Sequence, residues 1–459
     1  MTPENDSTNK KTTAEHALVP TRRDFVKTAA IAAASLAAGS LVSCRSTSTA
    51  ARTIKIGYVA PKTGPTSAFT EADDFVLDQM RKYLADGLMI NGTKHPVVII
   101  EKDNRSDPNR GAEVASELIK SDKVDIITAA CNANNVNPVA DQAELNQVPC
   151  ISDDAPWQAY FMGRGGKPDK GFDWTYHFFW GAEDLVAVYT NLWQQLPTNK
   201  VIGALFPDDP EGNTFSAVFA PVLKQLGFTV VDTGRFQSDT NEYSAQISAF
   251  KKAKAEILTG VLPPPAFTTF WSQAAQQGFK PKIATMAKAL LFPSSVNALG
   301  DRGYGLSTEV WWSPYHPFKS GLTGQTCAEL CGAYEAATGR QWLPPLGIKH
   351  ALFEVVIDVL KRVKNIDSKD SIMESIRSTD YHSIIGPVNW NKSPYGNPVK
   401  NVCKTPLVGG QWVKGTKYLT PDGHWADGPK FMFNQLVVDD QTAPEVPTQA
   451  KLQYMQYKQ

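Results

Sequence analysis

Short β-branched runs alternate with helical segments along most of this chain, and that alternation limits its fold more than any other feature. The first run is 53–60 (TIKIGYVA), and the next, 97–100 (VVII), is apolar at every position. A strand with no polar face belongs in a parallel sheet covered on both sides. Further runs stand at 124–128 and 148–152, then at 200–206, 228–232, 257–261 and 282–285. Helical segments are expected between them, at 71–87, 134–146, 212–226, 242–254 and 266–277. Another opens at Asp107-Pro108, where Asp caps free N–H groups and Pro fits the first helical turn. The alternation predicts an α/β fold of two doubly wound parallel-sheet lobes, from runs over 53–152 and 200–310.

The chain between and after these runs sets the boundaries. Residues 153–181 are aromatic and Gly-rich, too long for a plain connector, and are expected to be functional. Helices are expected at 323–338, 346–363 and 369–377, followed by a Gly/Pro/Trp-rich tail from 386. The expected division puts 53–181 with 311–380 in a first lobe, and 182–310 with 381–459 in a second lobe and tail.

Residues 1–44 are expected to be an export leader. Arg22-Arg23 precede an Ala-rich run over 28–42 that is too short to span a bilayer, which is a twin-arginine pattern. Leu41-Val42-Ser43-Cys44 looks like a bacterial lipobox, with Cys44 as the lipidated residue; cleavage without lipidation is the competing reading. Residues 45–52 would form a polar tether. The expected location is the periplasm or cell surface, with a lipid anchor in the membrane.

Charge and cysteines exclude several roles. Lys+Arg and Asp+Glu both number 46, so there is no basic excess for nucleic acid. Beyond Cys44 five cysteines remain, so at least one stays unpaired within the chain; Cys131 and Cys150 are placed to bridge, and Cys327 with Cys331 lack further metal-ligand spacing. There is no G-x-S-x-G, H-E-x-x-H, phosphate loop or G-x-G-x-x-G after a strand, and the six His beyond the leader are scattered. No enzymatic activity, cofactor or metal is expected, and the chain is expected to be a monomer.

Several motifs occur in a telling order: Ile54-Lys55-Ile56-Gly57 with Thr63-Gly64-Pro65, Asp103 with Ser106-Asp107-Pro108, Val124-Asp125-Ile126-Ile127, Val148-Pro149-Cys150-Ile151-Ser152, Asp208-Asp209 with Gly212, and Tyr243-Ser244-Ala245-Gln246-Ile247. In these the chain resembles type I periplasmic binding proteins of the branched-chain amino-acid (leucine/isoleucine/valine) family, the solute receptors of ATP-binding-cassette importers. The resemblance implies a two-lobed fold that closes on a small solute and docks on membrane permease subunits. The expected ligand is an amino acid or related small carboxylate.

The resemblance also implies ligand positions, and the sequence departs from some of them. The loop after the third strand offers backbone donors at Asn132 and Ala133. The loop after the fourth carries Asp153, Asp154 and Ala155, but Pro156 stands where the family has a hydroxyl, and Trp157 follows. In the second lobe Lys288 lies near the family's acidic partner of the ligand ammonium and suits an anion instead. Phe69, Trp180 and Asp208 complete the candidate set. Phe179, Trp157 and Trp180 would stack on an apolar ligand body, or cage a quaternary amine. Trp311-Trp312 are expected in core or hinge packing. The alternatives are a receptor serving a membrane sensor and a periplasmic hydrolase.

Overall fold

The computed structural model describes residues 51–457. The leader, Cys44 and residues 45–50 of the expected tether lie outside the described residues. Arg52 does not behave as tether: its guanidinium pairs with Asp125 at 2.8 Å and Asp367 at 2.5 Å, tying the start of the fold to two separate segments.

Six parallel strands form the first sheet, in the order Val402–Cys403, Thr175–Phe178, Cys150–Ser152, Ile126–Ala129, Ile54–Ala60, Val97–Asp103. Chain order reverses around Ile54–Ala60, so the loops after its carboxyl end and after Ile126–Ala129 diverge and leave a crevice. Four parallel strands form the second sheet, in the order Ile283–Ala284, Ile257–Gly260, Val201–Leu205, Thr229–Asp232, with the same reversal around Val201–Leu205. The expected strands and helices therefore stand within a few residues of their predicted places, and the cap at Asp107 forms as expected, its side chain accepting from the Arg110 N–H at 2.8 Å.

Three features differ from the expectation. The 153–181 stretch is not one loop: it holds a short helix, Trp157–Phe161, and the buried strand Thr175–Phe178. The unread helix Ala182–Gln194 then carries the chain toward the second lobe. The tail divides as well: Val402–Cys403 joins the first sheet, while Val408–Lys414 pairs antiparallel with Ser307–Val310 and Phe433–Asp439. Residues 381–459 thus do not belong to one lobe.

Burial follows from this arrangement. The helix Pro344–Arg362 is buried at almost every position from Pro344 to Leu360. Gly347 lets it approach Trp312, because a Cβ there would meet the indole at 2.1 Å. Trp312 is accordingly core, its indole N–H donating to the Ile384 carbonyl at 3.0 Å. The five cysteines among the described residues are buried and unbridged, so the Cys131–Cys150 pairing does not form. Among the described residues no group of three or more His, Cys, Asp or Glu could hold a metal ion. Among them, too, no helix is long and apolar enough to cross a membrane.

Candidate functional site: a cleft between two sheets

The loops after the strand ends of both sheets enclose two spaces that share Asn132 and Lys288 in their walls. The inner chamber is lined by Phe69, Asn132, Asp154, Phe179, Trp180, Glu211, Phe215, Lys288, Glu309 and Trp311, among others. It measures about 20 Å³, little more than one water needs. A larger solute therefore enters only when the lobes part or side chains shift. Outside it lies a vestibule of about 370 Å³, whose walls include Thr66, Ser106 and Asn134 on one side and Asp209, Ser238 and Pro263 on the other.

The aromatic wall comes from distant segments. Phe69 sits on the 3-10 turn Ser67–Thr70, and Phe179 and Trp180 follow the strand Thr175–Phe178. Trp311 follows Ser307–Val310; its ring meets Phe179 edge-on at 4.9 Å and stacks on Phe69 at 6.0 Å. The indole N–H groups of Trp180 and Trp311 are buried and have no hydrogen-bond partner.

Two buried ion pairs form the polar corners. Lys288 Nζ lies 2.6 Å from Glu211 Oε2, and Glu211 Oε1 accepts from the Ala133 backbone N–H at 3.0 Å. Glu211 follows Asp209-Pro210, where Asp209 caps its helix by accepting from the Gly212 N–H at 2.7 Å. The acid is thus carried across the cleft to the start of the helix Ala133–Leu145, where unpaired N–H groups and the helix dipole favour negative charge. Burial pushes the Glu211 carboxyl up, with Lys288 opposing; burial pulls Lys288 down, and Glu211 and Asp209 outweigh it. The backbone N–H of Lys288 donates to Glu309 Oε1 at 3.0 Å, and the Tyr189 hydroxyl donates to Glu309 Oε2 at 2.6 Å.

In the second pair, Lys349 Nζ reaches Asp154 Oδ2 at 2.5 Å, with both side chains buried. Burial works against the Lys349 ammonium, but Asp154, Asp73 and Asp153 raise its pKa above the ordinary lysine value. Asp153 is fully buried, and neither of its oxygens has a hydrogen-bond partner. Burial and the neighbouring Asp154 push its carboxyl well above the usual range. Asp73 accepts from the Tyr58 hydroxyl at 2.7 Å and is pushed up to about 6 by burial.

Phe69, Asn132, Asp154, Trp180 and Lys288, five of the residues singled out in the sequence, thus line the inner chamber, and Ala133 meets it through its backbone. Asp153 lies beside Asp154. Ala155 is turned elsewhere: its carbonyl accepts from His177 Nε2 at 2.7 Å.

Trp157 and Asp208 stand outside the two spaces. The Trp157 indole donates to Glu183 Oε1 at 3.0 Å and its ring packs in the first-lobe core. Asp208 accepts from Asn213 at the surface at 3.1 Å, because its neighbour Asp209 takes the cap position and faces the vestibule. Trp311, expected in the core or hinge, is in the chamber wall. Glu211, Glu309 and Lys349 were not foreseen; Asp209-Pro210 marks the helix start that carries Glu211, whereas Lys349 lies in the mostly apolar, buried part of a helix whose other lysine and arginine stand in its last turn.

The model of the periplasmic binding protein family matches residues 53–408. Solved structures of the same fold include a leucine-binding protein of Thermotoga maritima, 18% identical, covering 82% of this chain and 97% of that one with a TM-score of 0.65. Another is the branched-chain amino-acid transporter substrate-binding protein of Streptococcus pneumoniae in complex with isoleucine, 15% identical over 84% of this chain and 99% of that one, TM-score 0.63. A third is an ABC transporter solute-binding protein of Rhodopseudomonas palustris in complex with 3,4-dihydroxybenzoic acid, 19% identical over 84% and 98%, TM-score 0.64. With two parallel-sheet lobes facing across a lined cleft, and a family model covering both, the chain belongs to the periplasmic binding protein family.

Proposed function

We propose that this protein is the extracytoplasmic solute receptor of an ATP-binding-cassette importer, closing its lobes on a small organic solute and delivering it to the permease. The observation that carries the reading is the chamber itself. Phe69, Phe179, Trp180 and Trp311 meet Phe215 from the second-lobe helix around a corner of Asn132, Asp154, Glu211 and Lys288. Such a lining suits an apolar or aromatic body with one polar end. Amino acids and their relatives fit this description. The related structures with isoleucine and 3,4-dihydroxybenzoic acid are consistent with that size class. Export through the twin-arginine leader and anchoring at Cys44 complete the proposal.

The polar groups support binding rather than catalysis. Glu211 is paired with Lys288, Asp154 with Lys349, and Glu309 with Tyr189, so each acid lining the chamber is already engaged by a partner from the chain. A thermal-shift screen of amino acids, aromatic acids and amines tests the reading. A solute at about 100 times its Kd stabilises the folded state by about 2.7 kcal/mol. Turnover of a solute, with no solute raising the melting temperature, would contradict it.

A further inference from the structure

The chamber has more acid than base. Asp154, Glu211 and Glu309 line it, and Asp153 and Asp73 adjoin Asp154, while the cations within this group are Lys288 and Lys349. The ammonium and the helix-start N–H that would receive a ligand carboxylate are filled by the chain itself, which leaves only the neutral indole N–H groups of Trp180 and Trp311 as open donors in the wall. Glu211 takes both the Ala133 N–H and the Lys288 ammonium. An incoming carboxylate would have to expel Glu211 and leave its charge buried without a partner, an unfavourable exchange.

The corner at Asp154 is incomplete. Asp154 is 2% exposed and lines the chamber, yet its Oδ1 has no hydrogen-bond partner once Oδ2 has taken Lys349. Trp180 and Trp311 stand in the same wall, 6.2 Å apart between ring centroids. Indole faces attract a cation, most strongly where water is excluded. Phe69 and Phe179 enlarge that apolar surface.

We propose that the polar end of the solute is an ammonium, received by Asp154 Oδ1 and the rings of Trp180 and Trp311, with Glu211 standing in for the carboxylate that an amino acid would bring. The ligand class is then a small amine with an apolar or aromatic body and no carboxylate beside the nitrogen. The proposal rests on the receptor reading of the cleft and narrows it. A cationic ligand also offsets the excess of carboxyls, which protons would otherwise have to neutralise.

Calorimetric titration of the purified chain near pH 7.5 tests this with three probes that share a phenyl body: phenethylamine, phenylalanine and phenylacetate. Phenethylamine is expected to bind at least about tenfold more tightly than phenylacetate, and more tightly than phenylalanine. Glu211→Gln frees Lys288 and is expected to tighten phenylacetate binding by about tenfold. Asp154→Asn is expected to lose phenethylamine; Glu211→Gln gives an independent answer if that variant fails to fold, as its thermal melt would reveal. Phenylacetate or phenylalanine binding the unmodified protein as tightly as phenethylamine overturns the inference and leaves the receptor reading standing. Failure of all three probes also overturns it, and the wider solute screen then decides the receptor reading by itself.

Discussion

The carboxylate of Glu211, in the first turn of a second-lobe helix, accepts a 3.0 Å hydrogen bond from the backbone N–H of Ala133, at the start of a first-lobe helix. This bond crosses the cleft, and Lys288 holds the acid from its own side. Glu71 and Ser294 make a second crossing at 2.5 Å. The described conformation is thus closed by contacts within the chain, at the position where a ligand would be held.

Removing the crossing acid should therefore open the molecule. Glu211→Ala deletes the interlobe bond and leaves the Lys288 ammonium buried without its partner. A loss of about 3 kcal/mol is expected in urea unfolding. Small-angle scattering should show a larger radius of gyration than for the unmodified chain. An unchanged radius would mean that other contacts close the cleft.

Lys349 supports the other corner. Lys349→Met should cost about 3–5 kcal/mol, because Asp154 then keeps a buried charge beside Asp153 and Asp73. Adding Asp154→Leu to that variant should recover much of the loss, since replacing both members of a buried pair removes the unpaired charge. Urea midpoints of the two variants measure this directly. No recovery in the double variant would show that packing at Lys349 matters more than its charge.

The aromatic assignments separate wall from scaffold. Trp180→Ala and Trp311→Ala should each weaken a bound solute by about tenfold or more, as loss of an aromatic anchor does. Trp157→Phe should leave affinity within about twofold while lowering stability by about 1 kcal/mol, the worth of its bond to Glu183. Equal losses of affinity at Trp157 and Trp311 would contradict this division.

Two histidines should each make a destabilising contribution as the pH falls. His177 and His316 are fully buried, and burial pulls both from 6.5 down to about 3. The unfolded chain binds their protons first. Their contribution to stability is thus present above pH 6.5 and lost as pH falls toward 3, at up to about 1.4 kcal/mol per pH unit for each. Asp73 has the opposite sign. Its carboxyl is raised to about 6, so its contribution is full below the ordinary Asp range and is lost as pH rises through 6. Urea midpoints measured from pH 7.5 to 4 should drop less, or rise more, in His177→Gln than in the unmodified chain; parallel profiles would contradict the role of this histidine.

The parallel strands were legible because each is a short, compact apolar run followed by a turn. Thr175–Phe178 and the two-residue Val402–Cys403 were not: the first mixes His and Thr with aromatics inside Gly-rich chain, the second is too short to show a pattern, and only pairing with neighbouring strands makes them part of the sheet. The antiparallel pairing of Ser307–Val310 with Val408–Lys414 joins segments far apart in sequence, and the second carries Gly409 and Gly410, which weaken any local strand signal. In the site, Asn132, Asp154 and Lys288 were legible through the family resemblance, which points to the loops that carry them. Glu211 looked like an ordinary first-turn acid and Lys349 like an interruption in an apolar helix. Their roles depend on what faces them across the fold, which spacing along one chain does not encode.

The chamber is expected to hold a solute and return it unchanged. Native mass spectrometry of the purified chain with a stabilising solute from the screen, followed by chemical analysis of what denaturation releases, tests it most directly. One solute per chain is expected, recovered intact, with occupancy lost in Trp180→Ala and Trp311→Ala. A chemically altered solute, or full occupancy in both variants, would contradict it.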